Sequence, residues 1–90
     1  MPAVNVVVIG YVQGVGFRAF MLDVAERLGV RGEVWNRREG AVEANAYHES
    51  QALLDEFVEV LSDGPGRVRD VCATPLSGYE PAAFTVGRTR

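Results

Sequence analysis

The stretch Gly10-Tyr11-Val12-Gln13-Gly14-Val15-Gly16-Phe17-Arg18 decides how this chain reads. Ahead of it run the β-formers Val4, Val6, Val7, Val8 and Ile9. Behind it Phe17, Phe20, Val24 and Leu28 recur at helical spacing. A strand therefore passes through a glycine loop into a helix. Gly10, Gly14 and Gly16 admit positive φ and put no side chain in the way of a ligand. The first amides of a helix lack intrahelical acceptors, and with the positive end of the helix dipole they attract an anion. Arg18, in the first turn, adds a guanidinium fork suited to a phosphate. A plain tight turn explains the same glycines equally well. No Gly-Lys-Ser/Thr follows, as a nucleotide phosphate loop requires, and Gly14-Val15-Gly16 lacks the third glycine of a dinucleotide fingerprint.

The chain around this stretch has 90 residues, which points to a single domain over residues 1–90 with one core. Hydrophobic residues make up 48% and charged residues 23%, the balance of a soluble globular protein. The net charge of -3 argues against a protein that wraps nucleic acid by counterion release, so no nucleic acid partner is expected. It also makes an anionic ligand depend on a local positive site. One cysteine, Cys72, leaves no internal disulfide, and a reducing, cytoplasmic location is expected. One Cys and one His are too few for a zinc site. No apolar run approaches a membrane span, and the start Met-Pro-Ala-Val has no basic leader, so no membrane association is expected.

Taken in order, Val4 to Ile9 is apolar at both parities, which predicts a strand covered on both faces. The helix from Phe17 presents Phe20, Val24 and Leu28 on one stripe, with Met21 and Ala25 beside it, and Gly29 stops it. Gly32 to Arg37 reads as a second strand, with Gly32, Val34 and Asn36 on one face and Glu33, Trp35 and Arg37 on the other. Arg37 to Gly40 is a hairpin loop. Ala41 to Tyr47 returns, with Val42, Ala44 and Ala46 on an apolar face and Glu43, Asn45 and Tyr47 on one open to water. Ser50 caps a second helix carrying Leu53, Leu54, Phe57, Val60 and Leu61 on its buried side, ended by Gly64-Pro65-Gly66. Val68 to Ala73 is a fourth strand with Asp70 breaking the alternation, which predicts a bulge. Phe84 and Val86 mark a short last strand whose sheet edge the pattern does not fix.

The order β-α-β-β-α-β with an extra strand predicts a ferredoxin-like α+β sandwich: two helices on one face of an antiparallel sheet, plus a short C-terminal strand. In that fold strands one and two run the same way. The glycine loop and Asn36 then meet at one end, and His48 lies at the other.

Two stretches together resemble the acylphosphatase family. Val12-Gln13-Gly14-Val15-Gly16-Phe17-Arg18 is similar to the family's phosphate loop, and Gly32 to Asn36 with Gly40-Ala41-Val42-Glu43 to its second signature. Gly64-Pro65 and Val68-Arg69-Asp70-Val71 are similar to later landmarks. The resemblance implies metal-independent, cofactor-free hydrolysis of an acyl phosphate, a small-molecule substrate, to a carboxylate and phosphate. It implies that Arg18 is the phosphate-binding arginine and Asn36 the water-positioning asparagine, both catalytic. The amides of Gln13, Gly14, Val15, Gly16, Phe17 and Arg18 would bind the substrate phosphate. Tyr11 stands where many members carry a basic residue, and Glu33 where an aromatic is common.

The absence of an acid–base pair at the loop fits that chemistry. The leaving carboxylate has a conjugate acid of pKa about 4 and needs no proton. Phosphoryl transfer asks chiefly for positioning and for charge stabilisation on the equatorial oxygens. The ordinary alternatives are that Asn36 forms a turn, that Arg37 and Arg38 are solvated, that His48 is an exposed strand end and that Cys72 packs as a small apolar side chain. Two other classes are a non-catalytic anion sensor and an RNA-binding module using the open sheet face. The face has Tyr47 but neither the paired aromatics nor the basic surround of such modules. A monomer is expected.

Overall fold

The computed structural model describes residues 2–90. The elements are β1 (Ala3–Tyr11), α1 (Phe17–Leu28), β2 (Arg31–Asn36), β3 (Val42–Tyr47), α2 (Gln51–Val60), a 3-10 turn (Leu61–Asp63), β4 (Arg67–Pro75) and β5 (Phe84–Val86). They form one five-stranded sheet in the order β4-β1-β3-β2-β5, with the two helices on one face. This is the ferredoxin-like α+β arrangement. The sheet is mixed: β1, β3, β2 and β4 pair antiparallel, whereas β5 joins β2 in parallel, Gly32 opposite Phe84 and Val34 opposite Val86. The last strand therefore extends the β2 edge. Among the described residues no helix is long and apolar enough to cross a membrane.

The core is the inward parity of the sheet against the helices. Val4, Val6 and Val8 of β1, Val34 of β2, and Val42, Ala44 and Ala46 of β3 meet Phe17, Met21, Val24 and Ala25 of α1 and Leu54 and Phe57 of α2. Phe57 touches Phe84 edge-on, which helps to seat β5. The α1 stripe is rotated from the expected one. Phe17 and Met21 are fully buried, while Phe20 and Leu28 lie half-buried at its margin. Phe20 still packs against Phe17, their ring centres 5.6 Å apart.

Other expectations change as well. β1 is not covered on both faces: its Val7 and Ile9 look out from the open side of the sheet and are half-buried. That open side is drier than its charges suggest. Trp35 lies under the Arg90 guanidinium, 4.1 Å from the ring centre, and Arg90 also pairs with Glu33 at 2.8 Å. Tyr47 is fully buried, with Arg31 stacked 4.7 Å from its ring centre. Arginine guanidinium groups lie over both aromatic faces here. His48 is mostly buried because its Nδ1 accepts the Ser50 N–H at 2.8 Å, just ahead of α2. Cys72, by contrast, is exposed, because it faces outward opposite Val7 on the edge strand β4. The bulge falls where Asp70 predicts it. Ile9 pairs with Asp70 but Gly10 pairs with Val68, leaving Arg69 as the extra residue.

Burial, then the carboxylates of Glu80 and Glu49, push the Tyr47 phenol above its usual 10.0, against a smaller lowering by Arg31. Burial and Glu33 shift Tyr79 the same way. The unfolded chain then loses these protons first. Above pH about 10 the folded state holds more protons, so stability falls as pH rises. It is fully present below the unfolded value and lost as pH climbs to the folded one. All nine basic side chains are arginine, so no lysine titrates in that range. The urea midpoint should be nearly flat from pH about 7 to 8, begin to fall at pH about 9, where the raised Cys72 thiol first contributes, and fall further above pH about 10. Tyr47→Phe should make the fall shallower; an unchanged slope would mean that this phenol ionises alike in both states.

Candidate active site

The connection from β1 to α1 turns through two left-handed glycines, Gly14 at φ 73° and Gly16 at φ 84°. No other residue type takes positive φ among the described residues, so the glycines stand where the path requires them. An added Cβ at either would point into open space. The loop is thus bare backbone around an opening.

The two helices begin differently. Ser50 caps α2, its Oγ accepting the Leu53 N–H at 3.3 Å. Gly16 heads α1 with no side-chain cap, and no acidic residue occupies its first turn. The α1 amides are left for a ligand, at the positive end of the dipole. Arg18 follows directly. Its Nη1 donates to the Gly87 carbonyl at 3.3 Å, so the segment after β5 holds the guanidinium in place. Among the described residues Arg18 has no part in the arginine ion pairs, which join Arg27 to Asp23, Arg31 to Glu49, Arg37 to Glu39 and Glu43, and Arg90 to Glu33. Its charge is not neutralised by a neighbouring carboxylate.

Both β1 and β2 pair antiparallel with β3, so they run the same way and end at the same rim. That brings Asn36, the last residue of β2, to the loop. A cleft of about 310 Å³ is lined by Val12, Gly14, Gly16, Phe17, Arg18, Ala19, Leu22, Asn36 and Val86. Its floor and walls are mostly apolar, and Arg18 is the one charged group in the lining. The Asn36 main-chain oxygen accepts the Arg90 N–H at 2.8 Å, which fixes the backbone beneath the carboxamide.

Of the residues singled out in the sequence, Gly14, Gly16, Phe17, Arg18 and Asn36 come together around this cleft. The side chains of Gln13 and Val15 do not line it. Gln13 reaches across to the β2–β3 hairpin, and Val15 packs against the edge of the core. Ala19, Leu22 and Val86 were missed. Ala19 and Leu22 lie at helix positions next to Arg18 that could have been flagged. Val86 carried no such signal, since the edge chosen by β5 is a tertiary outcome. Arg37 is engaged with Glu39 at 2.6 Å, whereas Arg38 is an exposed loop charge.

A larger hollow, about 650 Å³, lies at the open side of the sheet between Val7, Ile9, Tyr11, the hairpin and Arg67 to Arg69. Size does not decide between them. Between the two, the smaller cleft is the one that joins free helix amides, a cation and a carboxamide. Among the described residues no group of three or more His, Cys, Asp or Glu could hold a metal ion.

The sequence profile of the acylphosphatase family matches residues 4–86, nearly the whole chain. The chain belongs to the acylphosphatase family. It is 38% identical over 89 residues to an acylphosphatase of Leuconostoc mesenteroides, covering 96% of this chain and 98% of that one. An acylphosphatase of Lactococcus lactis is 45% identical over 61 residues, a match spanning 68% of this chain and 63% of the relative. The crystal structure of acylphosphatase from Bacillus subtilis superposes with a TM-score of 0.92 at 33% identity, covering 97% of this chain and 99% of that one. The fold of this acylphosphatase-family chain is therefore a family feature.

The loop geometry itself can be tested. Gly16→Ala should destabilise the fold by roughly 1–2 kcal/mol through the left-handed backbone alone, because the added methyl meets nothing within 4 Å. A urea midpoint equal to that of the parent would show that the loop relaxes out of the left-handed region.

Proposed function

We propose that this chain hydrolyses the carboxyl–phosphate anhydride of acyl phosphates, releasing a carboxylate and phosphate, as a cytoplasmic enzyme that uses no metal or cofactor. One observation carries the reading: Arg18, the uncapped start of α1 and Asn36 share a single cleft. The names of the relatives point the same way.

The amides of Gln13 to Arg18 and the Arg18 guanidinium bind the phosphoryl group and hold the charge on its equatorial oxygens. The Asn36 carboxamide holds a water in line with the scissile bond. The water oxygen attacks phosphorus, the bond from phosphorus to the acyl oxygen breaks, and its electron pair leaves on the carboxylate. The proton shed by the water passes to a phosphate oxygen. No general acid is needed, and the cleft lining offers no Asp, Glu, His, Cys or Tyr to serve as one. Phosphomonoesters, whose alkoxide leaving groups require a proton, should stay intact.

Benzoyl phosphate should be hydrolysed at an unchanged rate with chelator present, and an alkyl phosphomonoester such as glycerol phosphate should not be hydrolysed. Arg18→Ala should lower kcat/KM by about 10³-fold or more, the scale of a lost transition-state cation. Asn36→Ala should cost about 10²-fold in kcat while phosphate still raises the thermal midpoint. Full activity of Arg18→Ala would remove that residue from the mechanism. Loss of phosphate binding with kcat intact in Asn36→Ala would reverse the role assigned to it.

A further inference from the structure

The Gln13 side chain spans two parts of the chain that the mechanism must keep in register. Its Nε2 donates to the carbonyl oxygens of Arg37 at 2.6 Å and Ala41 at 2.8 Å, 24 and 28 residues away. Both partners are acceptors only, so the amide nitrogen must face them, and both its hydrogens are used. The hairpin does not need these bonds to close. Arg37 N–H already donates to Ala41 O at 2.8 Å and Gly40 N–H to Arg37 O at 3.2 Å. What Gln13 adds is a link from the phosphate loop to the residue that follows Asn36. On its other side, the Asn36 main chain is held by Arg90 N–H.

We infer that the Gln13 side chain is a positioning residue, a clamp that sets the Asn36 carboxamide against the phosphate loop. The inference rests on the acyl phosphate reading above for its kinetic consequence, but the clamp itself has a structural readout. Gln13 acts through Asn36, on where the attacking water sits. It does not act on the charge that grips the phosphate.

Gln13→Ala and Gln13→Met, the second keeping the bulk and losing both donors, are to be made alone and in the Asn36→Ala background. Each alone should lower kcat on benzoyl phosphate by about 10-fold or more, since displacements near 1 Å can cost about 10²-fold. The phosphate affinity read from thermal shifts should stay within about twofold of the parent. In the Asn36→Ala background the same changes should cost less than about twofold, because the group they position is gone. Gln13→Glu, which turns a carboxylate toward two carbonyls, should lose more than Gln13→Ala. An equal loss in both backgrounds, or a loss confined to phosphate affinity, overturns the clamp.

Amide hydrogen exchange separates this inference from the function beneath it. Arg37 and Gly40 should exchange faster in both variants than in the parent, whether or not the parent turns over benzoyl phosphate. Unchanged exchange overturns the clamp. An inert parent with faster exchange in the variants leaves the clamp standing and removes the acyl phosphate reading alone.

Discussion

Everything at the cleft follows from β1 and β2 sharing one partner. Each pairs antiparallel with β3, so the two strands point the same way and finish at the same rim. The strand that ends in a bare glycine loop thus arrives beside the strand that ends in Asn36. The register is not free to slip. A shift of one residue in β2 would turn Gly32, Val34 and Asn36 outward and put Glu33 and Trp35 into the core. The same packing that buries Val34 therefore aims Asn36. Core and chemistry are not separate requirements here.

At that rim the chain leaves hydrogen-bonding capacity unused, and does so selectively. The start of α2 is capped by Ser50, whereas the start of α1 has neither a cap nor an acidic first turn. With glycine at the cap position, the missing side-chain cap costs only about a few tenths of a kcal/mol relative to a good cap. A glycine with positive φ at the same point costs chain entropy on folding besides. Both costs fall at one spot, next to an arginine outside every ion pair among the described residues. A trivalent or divalent anion is the natural counterpart, because it satisfies several amides and the guanidinium at once.

How much of this could be read beforehand differs by element. The order of elements, the inward faces of β2 and β3, the Ser50 cap and the bulge near Asp70 are local signals, and the structure carries them. The meeting of Arg18 and Asn36 also followed, since it needs only the direction of two strands. What escaped was set by long-range contact. Tyr47 alternates with polar neighbours, which marks it as exposed, yet the Arg31 guanidinium covers its ring. Trp35 is likewise hidden by Arg90, far along the chain. Cys72 looks apolar by type, but β4 is an edge strand and its outward parity meets water. The side chain of Gln13 was unreadable for the same reason: nothing local says that an amide will reach residues 37 and 41.

The exposed Cys72 has a practical corollary. Its S–H lies 3.5 Å from an Asp70 carboxylate oxygen, and that hydrogen bond and charge hold the thiol above its ordinary value of 9.0. Since thiolate is the reactive form, the sulfur is slow to alkylate or to couple with a second chain near neutrality, although solvent reaches it freely. It is the one thiol in the sequence, and it lies on an edge that contributes nothing to the cleft. A maleimide dye applied at mildly alkaline pH would thus find a single attachment point.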